Sequence, residues 1–299
     1  MSMETMNAVP VAALAGAEQP GPGKAARWRR ELGNPLVAGA ALVFILVALM
    51  AVCAPLITPY DPTAIDPGSR LHKMSAEHWL GTDPFGRDTY TRLVYGARVS
   101  LVVGAGAAVA SVILGLLIGV VAGYFRAADA IIMRVMDGIM AIPSILLAIA
   151  LVALTGGTLT TVLVAIAVPE IPRVVRLVRG VIMRARSEPY VEAAISMGAR
   201  TPLLLWRHMV PNTVAPLVVQ GTFIFASAIL TEAVLSFLGA GLPSEIPSWG
   251  NMMADGRMYF QLVPGLVLYP GVVLALTLLA VNILGDVLRD ALDPRLAAK

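Results

Sequence analysis

Six stretches of this 299-residue chain are apolar for long enough to cross a bilayer, and that constrains the fold more than anything else in the sequence. About 20 consecutive apolar residues span the hydrocarbon core as a helix. The six blocks fall near residues 36–57, 100–122, 135–154, 159–175, 214–238 and 263–288. They predict an all-α polytopic membrane protein with six transmembrane helices. Composition agrees: 58% of residues are hydrophobic and only 14% charged, where a soluble domain carries about 25% charged residues. Pro143 and Pro270 fall inside predicted spans. Neighbouring helices can satisfy the backbone groups a proline frees, so a kink is expected at each.

The net charge of +3 is no nucleic-acid signal, because the basic residues are scattered between apolar blocks without aromatic interleaving. The single cysteine, Cys53, lies in the first block and reads as a small apolar packing residue. No group of residues has metal-ligand spacing, and no nucleophile–base pair is present. The expected catalytic and metal sets are therefore both none. Residues 1–33 read as a disordered, basic cytoplasmic N-terminal segment. The apolar stretch after it is too long for a cleaved signal, so it is read as a retained first helix. The remainder divides into 34–99, a first transmembrane helix plus a periplasmic segment, and 100–299, a five-helix core with a cytoplasmic loop at 186–212.

Orientation follows from the basic residues in the connections. With both termini in the cytoplasm, 16 of the 22 Lys and Arg lie inside, and only Arg70, Lys73, Arg87, Arg92, Arg98 and Arg257 lie outside. No internal repeat is evident, which argues against an inverted-repeat secondary transporter.

The long inner loop carries the densest pattern. Pro189 suits the first turn of a helix, and Val191, Ala194 and Ile195 make one apolar stripe on it. Gly198 breaks that helix, through either a positive φ or the close approach of a neighbour. Thr201 is placed to cap a second short helix with Pro202 in its first turn, ending before Pro211. Two short helices joined at a glycine form a compact cytoplasmic knob.

Glu192-Ala193-Ala194, then Gly198, then Pro211, at this spacing, resembles the EAA loop of bacterial ABC-importer permeases. His208 stands where the general pattern has isoleucine. The run Arg207-His208-Met209-Val210-Pro211-Asn212 is similar to the dipeptide, oligopeptide and nickel branch. So are His78 through Asp88, Leu235 through Gly239 with Pro247-Ser248-Trp249-Gly250, and the ending from Leu284 to Leu296. The similarity covers about residues 30–296 and is nearest to the second, C-type permease of such systems. It implies a type I ABC importer permease fold in the bacterial inner membrane. It also implies partners: a second homologous permease, two ATP-binding subunits and an external solute-binding protein. No phosphate-binding loop occurs in this chain, since Gly23-Lys24 lacks both the upstream glycine and the following Ser or Thr. ATP and Mg therefore belong to the partners, and the chain itself has no cofactor.

By the same resemblance the Glu192–Gly198 knob sits in a cleft of an ATPase. Glu192 is the expected charged contact and Gly198 the geometric hinge, with Ala193, Ala194 and Pro211 shaping the knob. Arg200 and Arg207 either assist or form a solvated basic face. Inside the spans, Glu232 and the nearby Ser236 stand either at the pathway or outer gate, or at a helix-packing or periplasm-facing position. Glu170, between Pro169 and Pro172, is expected near the cytoplasmic end of the fourth span, paired with an arginine. Asn282 is expected to make an interhelical hydrogen bond. In the outer motif, Asp83 and Asp88 are both candidate N-caps, Gly81 and Gly86 supply turns, and Arg87 lies between them. The segment from Thr89 to Arg98 reads as an amphipathic helix on the outer surface. It either leads into the second span or docks the binding protein.

The rival function is a stand-alone secondary transporter or channel. It would need intramembrane relays, whereas His72, His78 and His208 all lie in connections. The substrate stays open between dipeptides, oligopeptides, glutathione, nickel chelates and opine-like compounds.

Overall fold

A computed structural model describes residues 34–292. The N-terminal segment read over 1–33 and the last part of the C-terminal motif, from Asp293 onward, lie outside the described residues. Helix α1 (Pro35–Val52) is capped by Asn34, whose side chain accepts from the Leu36 amide. Pro55 ends it early: the chain turns at Cys53 into the short α2 (Ala54–Ile57). After an irregular outer segment comes α3 (Thr89–Tyr124), 36 residues without a break. Of the two readings of 89–98, entry into the second span is the one seen: the stretch is the first part of the same helix and not a helix lying on the outer surface. Nothing in that stretch interrupts the backbone ladder, and its Gly96 packs against the Trp249 ring.

The third expected span is not one helix. Helix α4 (Arg126–Met140) and α5 (Ser144–Thr155) meet at 89°. Pro143 has no amide hydrogen to continue the ladder and drives the preceding residue out of helical conformation. Arg126, Asp129, Arg134 and Asp137 make α4 amphipathic, and two of them are tied to the next helix. Arg176 Nη2 lies 2.7 Å from Asp137 Oδ1, and Arg179 holds both oxygens of Asp129. That next helix, α6 (Leu159–Arg186), begins with a reciprocal cap between Thr158 and Thr161. It runs through Pro169 and Pro172 well past the predicted end at 175. Glu170 is consequently near mid-helix, not at an end. Its carboxylate accepts from Arg173 Nη1 at 3.1 Å, the predicted kind of partner.

Helix α7 (Pro189–Ser196) and α8 (Thr201–Leu204) form the knob, and α9 (Val214–Phe237), α10 (Trp249–Gly256) and α11 (Gly265–Leu292) complete the chain. Four helical runs are long and apolar enough to cross a membrane: Pro35–Val52, Thr89–Tyr124, Thr201–Phe237 and Gly265–Leu292. The bent α4–α5 pair makes a fifth if it counts as one span. Six was expected. Helix α6 is also long enough, at 28 residues, and falls short on composition alone, because Glu170, Arg173, Arg176 and Arg179 lie from its middle onward.

The centre of the fold is the pairing of α3 with α6. Gly115, Gly119 and Gly123 recur every fourth residue on α3, and each faces one of Val174, Val178 and Ile182 on α6. A Cβ added at Gly119 would stand 2.7 Å from Val178 Cβ and 3.0 Å from the Val175 carbonyl oxygen. Small residues on one helix let the two backbones approach closely, which is how helices associate in lipid. Val174, Val178 and Ile182 are fully buried by it. The same cluster continues into Val191, Ala194 and Leu204 of the knob, so the knob is packed onto this pair.

Candidate functional site

The knob grows directly out of α6. Pro189 opens α7, Val191 and Ala194 turn inward, and Ile195 is exposed. The expected three-residue stripe thus splits into two buried positions and one outward one. Gly198 ends the helix at φ +80°, with nothing within 4 Å of where its Cβ would be. Of the two reasons for glycine here, the structure selects the left-handed backbone over close approach. The Ala199 amide donates to the Ala194 carbonyl (3.0 Å) and the Gly198 amide to that of Ile195 (2.9 Å). That is the Schellman closure of a helix C-terminus.

Thr201 does not cap the second helix. Arg200 occupies the cap position without a side-chain bond, and Thr201 is already helical. Nor does this helix end before Pro211. It passes through a π turn (Leu205–Met209) and a 3-10 turn (Val210–Thr213) into α9. A clamp ties the π turn to α7: Asn212 Nδ2 donates to Tyr190 Oη (2.9 Å) and to the His208 carbonyl (2.9 Å), and Tyr190 Oη donates to that carbonyl (3.3 Å). The two short helices expose large apolar side chains, with Met197 82% and Trp206 58% exposed and Ile195 and Leu203 about half exposed. Glu192, Ala193, Arg207 and Pro211 are exposed and Arg200 is exposed beside the turn, whereas Ala194 is buried.

At the opposite end of the helices, the outer motif builds a compact ionic knot. Gly81 (φ +74°) and Gly86 (φ +78°) make its turns. Asp88 caps α3 by accepting from the Thr91 amide at 2.7 Å, and its other oxygen lies 2.9 Å from His78 Nδ1. Asp83 is not a helix cap. Its Oδ1 accepts from the Phe85 and Arg87 amides, closing a turn, and its Oδ2 accepts from Arg87 Nε. Arg87 also donates through Nη2 to Asp255 Oδ2 (2.7 Å) on α10 and through Nη1 to the Ser244 carbonyl (3.1 Å). Arg92 lies 3.7 Å from both carboxylates and donates to the same carbonyl. Two arginines and two aspartates thus neutralise one another and join the outer segment to α10 and the loop before it. Burial pushes the Asp255 carboxyl up, and the facing Arg87 and Arg92 pull it back down. Sequence reading missed Arg92 and Asp255, whose only signal was being charged residues beside apolar ones.

Replacing Arg87 with methionine leaves Asp83 and Asp255 facing each other with only the more distant Arg92 between them. Breaking a buried pair from one side costs about 3–5 kcal/mol. Because Arg92 stays, the expected loss is toward the lower figure, read as an earlier thermal midpoint of the purified protein in detergent. Arg87→Lys should recover part of it, since an ammonium restores charge but not the forked contacts.

Glu232 is completely buried on α9. Its Oε1 accepts from Ser236 Oγ at 2.8 Å and its Oε2 from Ser100 Oγ of α3 at 3.4 Å. Ser236, but not Glu232, borders an outer cavity of about 650 Å³ with Gly239, Gly241, Asn251 and Asp255. Asn282 is exposed on α11 and makes no interhelical hydrogen bond among the described residues. Those residues hold no cluster that could bind a metal ion.

A family profile described as a binding-protein-dependent transport system inner membrane component matches residues 111–298. The chain belongs to the binding-protein-dependent transport permeases. A second profile, the N-terminal transmembrane domain of oligopeptide transport permease C, matches residues 22–73, which makes this a C-type permease. A probable peptide ABC transporter permease of Sinorhizobium fredii is 55% identical over 88% of this chain and 90% of its own length. A dipeptide transport system permease of Alkalihalophilus pseudofirmus is 44% identical over 88% and 87%. A glutathione transport system permease of Pectobacterium atrosepticum is 40% identical over 90% of each. A chain of the inward-facing MetNI methionine ABC transporter superposes with a TM-score of 0.53 at 18% identity, covering 67% of this chain and 96% of that one, and so shares the fold. The permease is therefore a multi-pass inner-membrane subunit of an ABC importer, a transport component and not an enzyme. Permeases of this kind work with ATP-binding and solute-binding partners.

Proposed function

We propose that this chain is the second of two different permeases in an importer of di- or oligopeptides, with two ATP-binding subunits inside and a solute-binding protein outside. ATP and Mg are held by those subunits. The observation that carries this reading is the apolar tip of the knob. Ile195, Met197, Leu203 and Trp206, on the two short helices that Gly198 joins, are exposed, while Val191, Ala194 and Leu204 anchor the knob in the core. Exposed apolar clusters with a polar surround are interaction surfaces, and Glu192, Arg200 and Arg207 supply that surround. The peptide class rests on what the relatives are named for. Both termini are cytoplasmic by the distribution of basic residues, and the segment from Thr58 to Asp88 faces the periplasm. The functional parts are those read from the sequence: 34–99 as first helix plus periplasmic segment, 100–299 as the permease core, and 186–212 as the ATPase-coupling loop.

The test is expression of the chain with its neighbouring transport genes. A second permease and ATPases should copurify with it, and the isolated chain should hydrolyse no ATP. Purification as a self-sufficient transporter would overturn the reading.

Glu232 and Ser236 belong, in this reading, to the outer gate. Glu232 holds Ser236 and Ser100 in place, and Ser236 faces the outer cavity. Glu232→Ala strands two buried hydroxyls at about 1–3 kcal/mol and should lower uptake with the ATPases still attached. Glu232→Gln keeps an acceptor oxygen for one serine and offers an N–H to the hydroxyl oxygen of the other, and should transport at close to the wild-type rate. Equal uptake by both variants would remove Glu232 from the gate.

A further inference from the structure

The two faces of α9 differ in a way that the coupling loop and the outer knot do not explain. One face, through Val214, Val218, Gly221 and Phe225, borders a groove of about 670 Å³ lined by side chains that are apolar apart from Thr222. The opposite face borders a cavity of about 540 Å³ between α6, α9 and α11, in which Gln220, Asn212 and Arg289 interrupt Ala215, Val219 and Phe223. Gln220 sits one to two turns into an apolar helix, is half-buried, and makes no hydrogen bond among the described residues. A primary amide in hydrocarbon forfeits its bonds to water, and polar groups inside membrane helices face a bundle interior or a wet cavity.

Helix α11 repeats the pattern. Asn282, Asp286 and Arg289 recur at i, i+4 and i+7 and are all exposed. A Cβ at Gly285 of α11 would meet Thr222 Oγ1 of α9 at 2.8 Å, which fixes the register of the two helices. Since Arg289 and Gln220 line the same cavity, the stripe on α11 and the amide on α9 share one side of the bundle. A lipid-facing stripe of Asn, Asp and Arg would be costly, so this side faces water or a partner subunit and not lipid.

We propose that this cavity is the inner part of the solute path, with Gln220 and Arg289 contacting the main chain of the passing peptide. The proposal rests on the importer reading given above. A glutamine side chain offers one donor and one acceptor in the geometry of a peptide group, and a guanidinium matches a terminal carboxylate. Both recognise what all peptides share and ignore their side chains, which suits a path that does not select.

The experiment has two arms in the assembled complex. In the first, Gln220→Cys and Val218→Cys are made on a Cys53→Ala background and treated with a charged, water-soluble maleimide in inside-out vesicles. Position 220 should label and position 218, on the apolar groove, should not. Equal labelling, or none at 220 because the second permease or lipid covers it, overturns the proposal. In the second, proteoliposomes with loaded binding protein compare Gln220→Leu and Gln220→Asn with wild type. Losing one hydrogen bond is worth about tenfold, so uptake per ATP hydrolysed should fall by about that factor for leucine, with stimulated hydrolysis kept, and by less for asparagine. Unchanged uptake with leucine overturns solute contact. If the wild-type complex imports no peptide, the importer reading fails, while the labelling arm still decides whether the cavity is wet.

Discussion

A Gly198→Val permease is expected to insert, fold and assemble, yet to import almost nothing. Gly198 has φ +80° and open space where a side chain would go, so the penalty is conformational and not steric. A β-branched residue in that region costs about 1–3 kcal/mol. The cost is local, because the helices packed beneath the knob are untouched. To escape it, the Schellman closure must open, which moves Met197 and the start of α8 away from each other and breaks up the apolar tip. The series is diagnostic. Asparagine, which tolerates left-handed backbone, should behave nearly as glycine, alanine should be intermediate and valine worst. Glu192→Lys tests charge on the same surface, since the exposed Glu192 faces outward. Uptake and ATP hydrolysis measured together in proteoliposomes, with copurification as the control, separate lost coupling from lost assembly. Wild-type uptake by both Gly198→Val and Glu192→Lys would reduce the loop to a linker.

Gly119→Ile should act at a different level, by preventing the permease from accumulating at all. Here the surroundings are closed: the added Cβ would stand 2.7 Å from Val178 Cβ. Neither partner can rotate away, because Val178 is fully buried and both atoms are next to backbone. The α3 and α6 axes must separate, and Gly115 and Gly123 lose their close contacts on either side. Overpacking of a tight site costs about 1–3 kcal/mol or more, and here three contacts are lost together. Membrane yield and detergent melting temperature are the readouts. A compensating Val178→Ala change should restore part of the yield. Rescue would tie the defect to this one contact.

Much of this was legible in advance, for local reasons. Asp88 as a cap, Gly198 as a break and Glu170 beside an arginine depend on neighbours within a few residues. The α3 glycines at 115, 119 and 123 were equally visible, and their four-residue spacing is a signal that could have been used. What could not be read was long-range. Asp83 looked like a cap because nothing in its neighbourhood points to Asp255, 172 positions away, with which it shares Arg87. The 89° corner at Pro143 looked like a kink, since a proline tells where a helix is interrupted and not how far it turns. Thr201 lost the cap position to Arg200 because the preceding glycine turn delivers the chain one residue earlier.

The helical run from Thr201 to Phe237, continuous through its π and 3-10 turns, has a mechanical consequence. Its 37 residues, at about 1.5 Å each, make a rod about 55 Å long. The Tyr190–Asn212–His208 clamp stiffens it where it leaves the knob. A rod pivoting at its inner end by about ten degrees sweeps its far end through roughly 10 Å. That far end carries Glu232 and Ser236. A small stroke at the cytoplasmic surface is thereby geared up into a displacement as large as a peptide is wide, without any bond in between having to break.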